Sequence, residues 1–198
     1  MSIYLDISAA VHHRAGLGRY ADSLTRALLA LEPGRYSLFY NRESGVEPLP
    51  GLETVPTQSI ALGYKPWRML IYAGHVGRIG FDHLLPNASL YHAMEHLLMP
   101  LRGIPTVLTV HDLIFRHLPG HHKPLNRWYL NATMPLYCRR ATHIIAVSDC
   151  TRQDLIATYC IPEPRITVIH EAADPRFQPQ PANVVTSVRK RYGLPERY

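Results

Sequence analysis

The residues with the most chemistry to offer stand where apolar runs stop. Residues 105–110 form an apolar, β-rich run that ends on His111 and Asp112, residues 143–147 end on Ser148, and residues 165–169 end on His170 and Glu171. A histidine beside a carboxylate can hydrogen-bond a polar ligand or act on a proton. Near the start, Gly16-Leu17-Gly18-Arg19-Tyr20-Ala21 fits the pattern G-x-G-x-x-A. Glycines let backbone approach a ligand closely, the helix N-terminus behind them offers unpaired N–H groups to an anion, and Arg19 adds a cation. The same pattern is the relaxed dinucleotide fingerprint. In nicotinamide and flavin enzymes, however, the glycines directly follow the first strand. Here residues 9–15 intervene, and Tyr40 and Asn41 stand where an acidic ribose ligand belongs, so an oxidoreductase fits poorly.

His92, Glu95 and His96 spell H-x-x-E-H, the inverted zinc-protease motif. That chemistry needs a helix, because two histidines four apart share one helix face while the glutamate activates water. The segment follows a strand-like stretch at 89–91 and meets Pro100 soon after, which leaves room for one or two turns. A zinc hydrolase is therefore a minor alternative, and no metal is expected. The doublets His12-His13 and His121-His122 read as solvated loop histidines.

Residues of these kinds are useful only if the chain brings them together. Short apolar runs at 2–8, 36–40, 88–92, 105–110, 143–147 and 165–169 read as buried strands. Between them Tyr20, Leu24, Ala27, Leu28 and Leu31 recur at helical spacing, with Pro33-Gly34 as the stop. Leu125, Trp128, Tyr129, Ala132 and Leu136 make a second stripe begun by Pro124, and Pro135 is expected to kink or break it. Ser148 is a good N-cap for a third helix burying Leu155, Ile156 and Tyr159. This alternation predicts an α/β fold, a Rossmann-like parallel sheet with helices on both faces in a single domain. Ligands of such sheets bind outside the carboxyl ends of the strands, where the polar residues above all fall. Residues 43–81 are the least legible. A helix over 66–79 would gather Trp67, Leu70, Ile71 and Gly74, with Lys65, Arg68 and Arg78 available to an anionic membrane surface, or it could simply pack on the sheet.

With 198 residues, 46% of them hydrophobic, the chain can bury one sizeable core. A formal net charge of +6 favours anionic partners. The basic residues are scattered, and no nucleic-acid module is recognisable, so nucleic acid is not expected as a partner. Cys138, Cys150 and Cys160 are odd in number and lack C-x-x-C spacing, which argues against a disulfide framework or a thiolate zinc site. No apolar run approaches the ~20 residues that span a bilayer. Asp6 interrupts the first apolar stretch, so a secretory signal is not expected and a cytoplasmic location is, including the inner face of the cell membrane. The sequons at Asn87 and Asn131 are accordingly read as coincidental.

Taken in order, the glycine segment running into Arg19-Tyr20, His111-Asp112-Leu113, Ala146-Val147-Ser148 and Asp174-Pro175-Arg176-Phe177 resemble the amino-terminal domain of retaining glycosyltransferases of family four, which have the two-Rossmann GT-B fold. The resemblance spans nearly the whole chain. It implies an acceptor-side domain over residues 1–177, followed at 178–198 by a linker and the approach to a carboxy-terminal, donor-binding domain. It further implies catalytic-site roles for His111 and Asp112 near the transferred sugar, and donor-side contacts from Gly16, Gly18, Arg19, Ser148 and Glu171. The implied partners are a nucleotide-sugar donor as co-substrate with no further cofactor, a glycan or lipid-linked acceptor, the second domain in cis or in trans, and peripheral membrane contact. The chain alone is then expected to be inactive. Residues 170–173, His-Glu-Ala-Ala, depart from the family pattern of a proline and an Asn-Gly pair, which puts contacts from that loop in doubt. A module that binds an acceptor or a membrane without catalysis is the principal alternative.

Overall fold

A computed structural model describes residues 1–43, 45, 48–118, 120, 123–174 and 176–195. Its strands are β1 (Ser2–Asp6), β2 (Tyr36–Asn41), β3 (Thr57–Ile60), β4 (Ala88–Ala93), β5 (Thr106–Val110), β6 (His143–Ala146) and β7 (Ile166–Val168). They form one sheet in the order β3-β2-β1-β4-β5-β6-β7, and every neighbouring pair is parallel. The helices are α1 (Ser8–Val11), α2 (Ala15–Leu31), α3 (Tyr64–Gly77), α4 (Ile114–His117), α5 (Pro124–Arg140), α6 (Asp149–Tyr159) and α7 (Ala182–Tyr192).

Strand alternation sorts the interior into two cores. Leu5, Leu38 and Tyr40 pack with Ala21 of α2 and with Met94. Their strand neighbours Tyr4 and Phe39 point the other way, into a larger cluster that holds Trp67 and Ile71 of α3, Met134 and Tyr137 of α5, and Leu155 of α6. The Phe39 and Trp67 rings lie 5.9 Å apart between centroids. Trp67, Tyr91, Tyr137 and Phe39 are fully buried in this core, each contributing roughly 1.5–3 kcal/mol.

Several elements differ from expectation. Ser8 does not end β1; it opens the four-residue α1, and its amide is capped by Asp6 Oδ1 at 2.9 Å. The edge strand β3, Thr57–Ile60, was not legible because its side chains are mostly exposed and only Ile60 is apolar. Pro135 does not end α5, which runs on to Arg140. Its missing N–H and ring cost about 3 kcal/mol in a helix interior, but Met134, Tyr137 and Cys138 on the same turns are fully buried and hold the helix in place. Ser148 caps α6 as expected, its Oγ accepting from Thr151 N at 3.1 Å.

Candidate functional site

Because the sheet is wholly parallel, the carboxyl ends of its strands share one edge. The strand order turns back between β1 and β4, and the crevice outside those two ends is where such sheets take ligands. Asp6 leaves β1 into this crevice. It is buried, accepts from Ser8 N and from the Tyr91 hydroxyl of β4, and burial raises its pKa. Glu95 follows β4, and only 4% of its side chain is exposed. The guanidinium of Arg14, at the N-cap of α2, donates to Glu95 Oε2 and to the Tyr64 hydroxyl. Glu95 Oε1 is buried without a hydrogen-bond partner among the described residues. Burial pushes the Glu95 carboxyl up to about 7, against the opposing pull of Arg14.

The next strand exit carries His111. Its Nε2 lies 3.0 Å from Met94 O and its Nδ1 lies 2.8 Å from Glu171 Oε1, on the loop after β7. Both partners are oxygen acceptors. Tyr20, on α2, meets the imidazole edge-on at 4.8 Å between centroids, and His96 stands 6.0 Å away on another side. The imidazole side chain is 10% exposed and the Glu171 side chain 48%, so a ligand arriving from solvent meets Glu171 first.

The other residues expected to act sit in distinct surroundings. Asp112 is exposed and accepts from Ile114 N at 2.9 Å, a local turn that starts α4. Ser148 holds Thr151, whose hydroxyl donates to His111 O at 3.1 Å, so the α6 cap is tied to the His111 backbone. Gly16 and Gly18 lie inside the first turn of α2 and not in a loop ahead of it. Gly18 is buried because a Cβ there would meet Ala9 O at 2.8 Å, which makes it the point where α2 closes on α1. Gly16 is exposed, with nothing within 4 Å of the position a Cβ would take, and Arg19 is exposed. Arg14, Tyr64 and Tyr20 were missed as site residues. The signal for Arg14 was its place immediately before a helix start.

His92, Glu95 and His96 are not on a helix. His92 belongs to β4 and bonds Thr109 Oγ1 at 2.8 Å, and burial lowers its pKa to about 4. Glu95 turns to Arg14, and His96 Nε2 accepts from His111 N at 3.3 Å. The helical geometry that the zinc-hydrolase reading requires is therefore absent from this segment. Among the described residues no group of three or more His, Cys, Asp or Glu is placed to hold a metal ion. His12 Nε2 bonds Asn41 O at 2.8 Å, while His121 and His122 lie outside the described residues.

The family model for Glycosyltransferase Family 4 matches residues 14–177. The fold is similar to that of Anabaena Alr3699/HepE, solved in complex with UDP and glucose, with a TM-score of 0.60 and 14% identity over 98% of this chain and 50% of that one. The same Anabaena protein in complex with UDP matches with a TM-score of 0.54 and 16% identity, again over 98% of this chain and 50% of that one. The chain thus spans about half the length of these solved structures, and its seven-stranded sheet corresponds to half of a GT-B fold. No curated protein matches its sequence.

Proposed function

The chain belongs to glycosyltransferase family 4, and from that membership we propose that it is the acceptor-side half of a retaining enzyme moving a sugar from a nucleotide-sugar donor to a glycan or lipid-linked acceptor. The observation that carries the reading is His111, held at a strand exit between Met94 O and Glu171 beside the β1/β4 crevice. Glycosyl transfer needs an acceptor hydroxyl fixed against the anomeric carbon and a diphosphate stabilised as it leaves. His111 offers its Nδ1 to that task. A sugar hydroxyl replaces the exposed Glu171 at Nδ1, while Met94 O keeps the ring in register. Asp112 and Ser148 act as positioning residues, through the α4 turn and through Thr151.

We assign the diphosphate to the start of α2, where Gly16 leaves the backbone open and Arg19 supplies charge. UDP in the Anabaena structures supports a nucleotide-sugar donor. We assign most donor contacts to a second Rossmann-like domain, present in cis or in trans, so that residues 1–198 alone bind donor weakly and transfer poorly. Peripheral membrane contact is part of the same proposal. Met69 and Leu70 of α3 and Leu125 and Trp128 of α5 are exposed, and the two helices are joined by Arg68, which bonds Asn126 at 3.1 Å. No helix among the described residues is long and apolar enough to cross a membrane, so contact would be from the surface.

The test is calorimetric titration with UDP-glucose and other nucleotide sugars, then transfer assays toward glycan and lipid-linked acceptors with a donor-binding domain supplied. Saturable donor binding and transfer that require His111 support the proposal. Binding that is unchanged in His111→Ala and Gly16→Ala, with no transfer to any acceptor, refutes it.

A further inference from the structure

A second concavity lies at the opposite pole of the sheet, far in the fold from the strand exits described above. Thr106, at the start of β5, and His75, in the last turn of α3, form part of its wall, and the cavity measures about 400 Å³. That is within the ~300–1,000 Å³ range of small-molecule sites. Its floor is apolar, with Leu98 and Met99 buried. Arg78, Arg102 and Arg140 all line it, and no lining residue is acidic.

Arg14, part-buried near the strand exits, is paired with Glu95, whereas Arg78, Arg102 and Arg140 are exposed at the cavity. Here, among the described residues, none of the three arginines forms an ion pair with a carboxylate. The nearby acid, Asp82, is turned to backbone, accepting from Arg102 N at 3.1 Å and Gly103 N at 2.8 Å. Arg140 is fixed before any ligand arrives. It donates to His75 O at 2.7 Å and faces His75 Nδ1 at 3.1 Å, and the other ring nitrogen bonds Leu98 O at 2.8 Å. Burial lowers the His75 pKa to about 4, so the ring is neutral and its Nδ1 accepts from Arg140. Favourable placement at helix C-termini accounts for Arg78 after α3 and Arg140 at the end of α5. It does not account for Arg102, which a loop brings to the same cavity.

We propose that this cavity is an anion site for a phosphate-bearing small molecule, with the phosphoryl group among Arg78, Arg102 and Arg140 and the organic part over Leu98 and Met99. Charge-assisted hydrogen bonds from guanidinium to phosphate supply the affinity, and the fixed Arg140 lowers the ordering cost. The site is independent of glycosyl transfer.

The experiment titrates the full chain with inorganic phosphate and with glycerol phosphate against chloride at matched ionic strength, following thermal stability and the amide resonances of Gly77, Gly80 and Gly103. Saturable shifts at those glycines and a rise in Tm are expected, weakened about tenfold in Arg102→Gln and in Arg78→Gln. Lys190→Gln, which removes the same charge from α7, is expected to bind as wild type. Vesicles of phosphatidylcholine with and without phosphatidic acid identify the source of the phosphate. Vesicle binding that Arg102→Gln abolishes and free phosphate competes assigns a lipid headgroup, and phosphate binding without it assigns a soluble ligand. A linear, unsaturated response, equal losses in Lys190→Gln and Arg102→Gln, or vesicle binding indifferent to both phosphate and Arg102→Gln overturns the proposal. Because no readout is sugar transfer, that failure would leave the glycosyltransferase reading untouched.

Discussion

His111 and Glu95 are each held by specific partners, Met94 O and Glu171 for the first and Arg14 for the second. His111→Ala removes the imidazole from the strand exit and is expected to lower transfer, with a donor domain supplied, by about 100-fold while leaving the circular dichroism spectrum unchanged. Glu171→Gln keeps an oxygen acceptor opposite Nδ1 and removes only the carboxylate charge, so it is expected to cost less. For Glu95 the sign runs against the usual carboxylate. Its folded pKa of about 7 lies above its ordinary value of 4.5, so between those pH values the folded chain holds a proton that the unfolded chain has lost. Stability from this group is therefore present below about pH 4.5 and falls as pH rises through about 7, by roughly 3 kcal/mol. Urea unfolding of wild type and Glu95→Gln across that window checks it. The difference between the two curves should move in favour of Glu95→Gln as pH rises, and a difference that stays constant would show that the carboxyl titrates normally. Glu95 was legible in the sequence as a chemical residue but was set in a metal motif, because H-x-x-E-H gives no sign of whether it lies on a helix or leaves a strand. Its actual partner, Arg14, is 81 residues away.

At the scale of elements the two glycines of α2 separate packing from function. Gly18→Ala would drive a Cβ to within 2.8 Å of Ala9 O, in backbone that cannot swing aside, and is expected to destabilise by about 1–3 kcal/mol. Gly16→Ala meets nothing and sits in the first turn of a helix, so stability should be unchanged or slightly higher, while donor binding weakens where the diphosphate needs close backbone. Thermal melts and calorimetry on both variants read the two effects separately. Ser148→Ala should cost about 1 kcal/mol through loss of the α6 cap, measurable by urea unfolding. Six of the strands were readable because each is an apolar run bounded by turn residues. The edge strand at Thr57–Ile60 was not, since one face of the sheet edge is open and its residues need not be apolar. The course of α5 past Pro135 was also hidden, because burial of Tyr137 and Cys138 depends on neighbours that periodicity does not reveal. The position of His111 at a strand exit was legible. The clasp of Met94 O and Glu171 around its ring was not, because it joins three segments through the sheet order.

For the whole molecule, two features lie at opposite poles of the sheet: a crevice at the strand exits, where Arg14 is paired with Glu95, and a cavity lined by three arginines that form no ion pair with a carboxylate among the described residues. The proposed division of labour gives sugar transfer to the first pole only, and only when a donor-binding domain faces it. In that proposal most of the stabilisation of the departing diphosphate comes from the second domain. The most direct measurement is therefore transfer from a nucleotide sugar by the 198-residue chain, with and without a donor-binding Rossmann domain, for wild type and His111→Ala in parallel. The account predicts little or no transfer by the chain alone, transfer once the domain is supplied, and loss of that transfer in His111→Ala; equal transfer by the isolated chain, or by His111→Ala with the domain present, would contradict it.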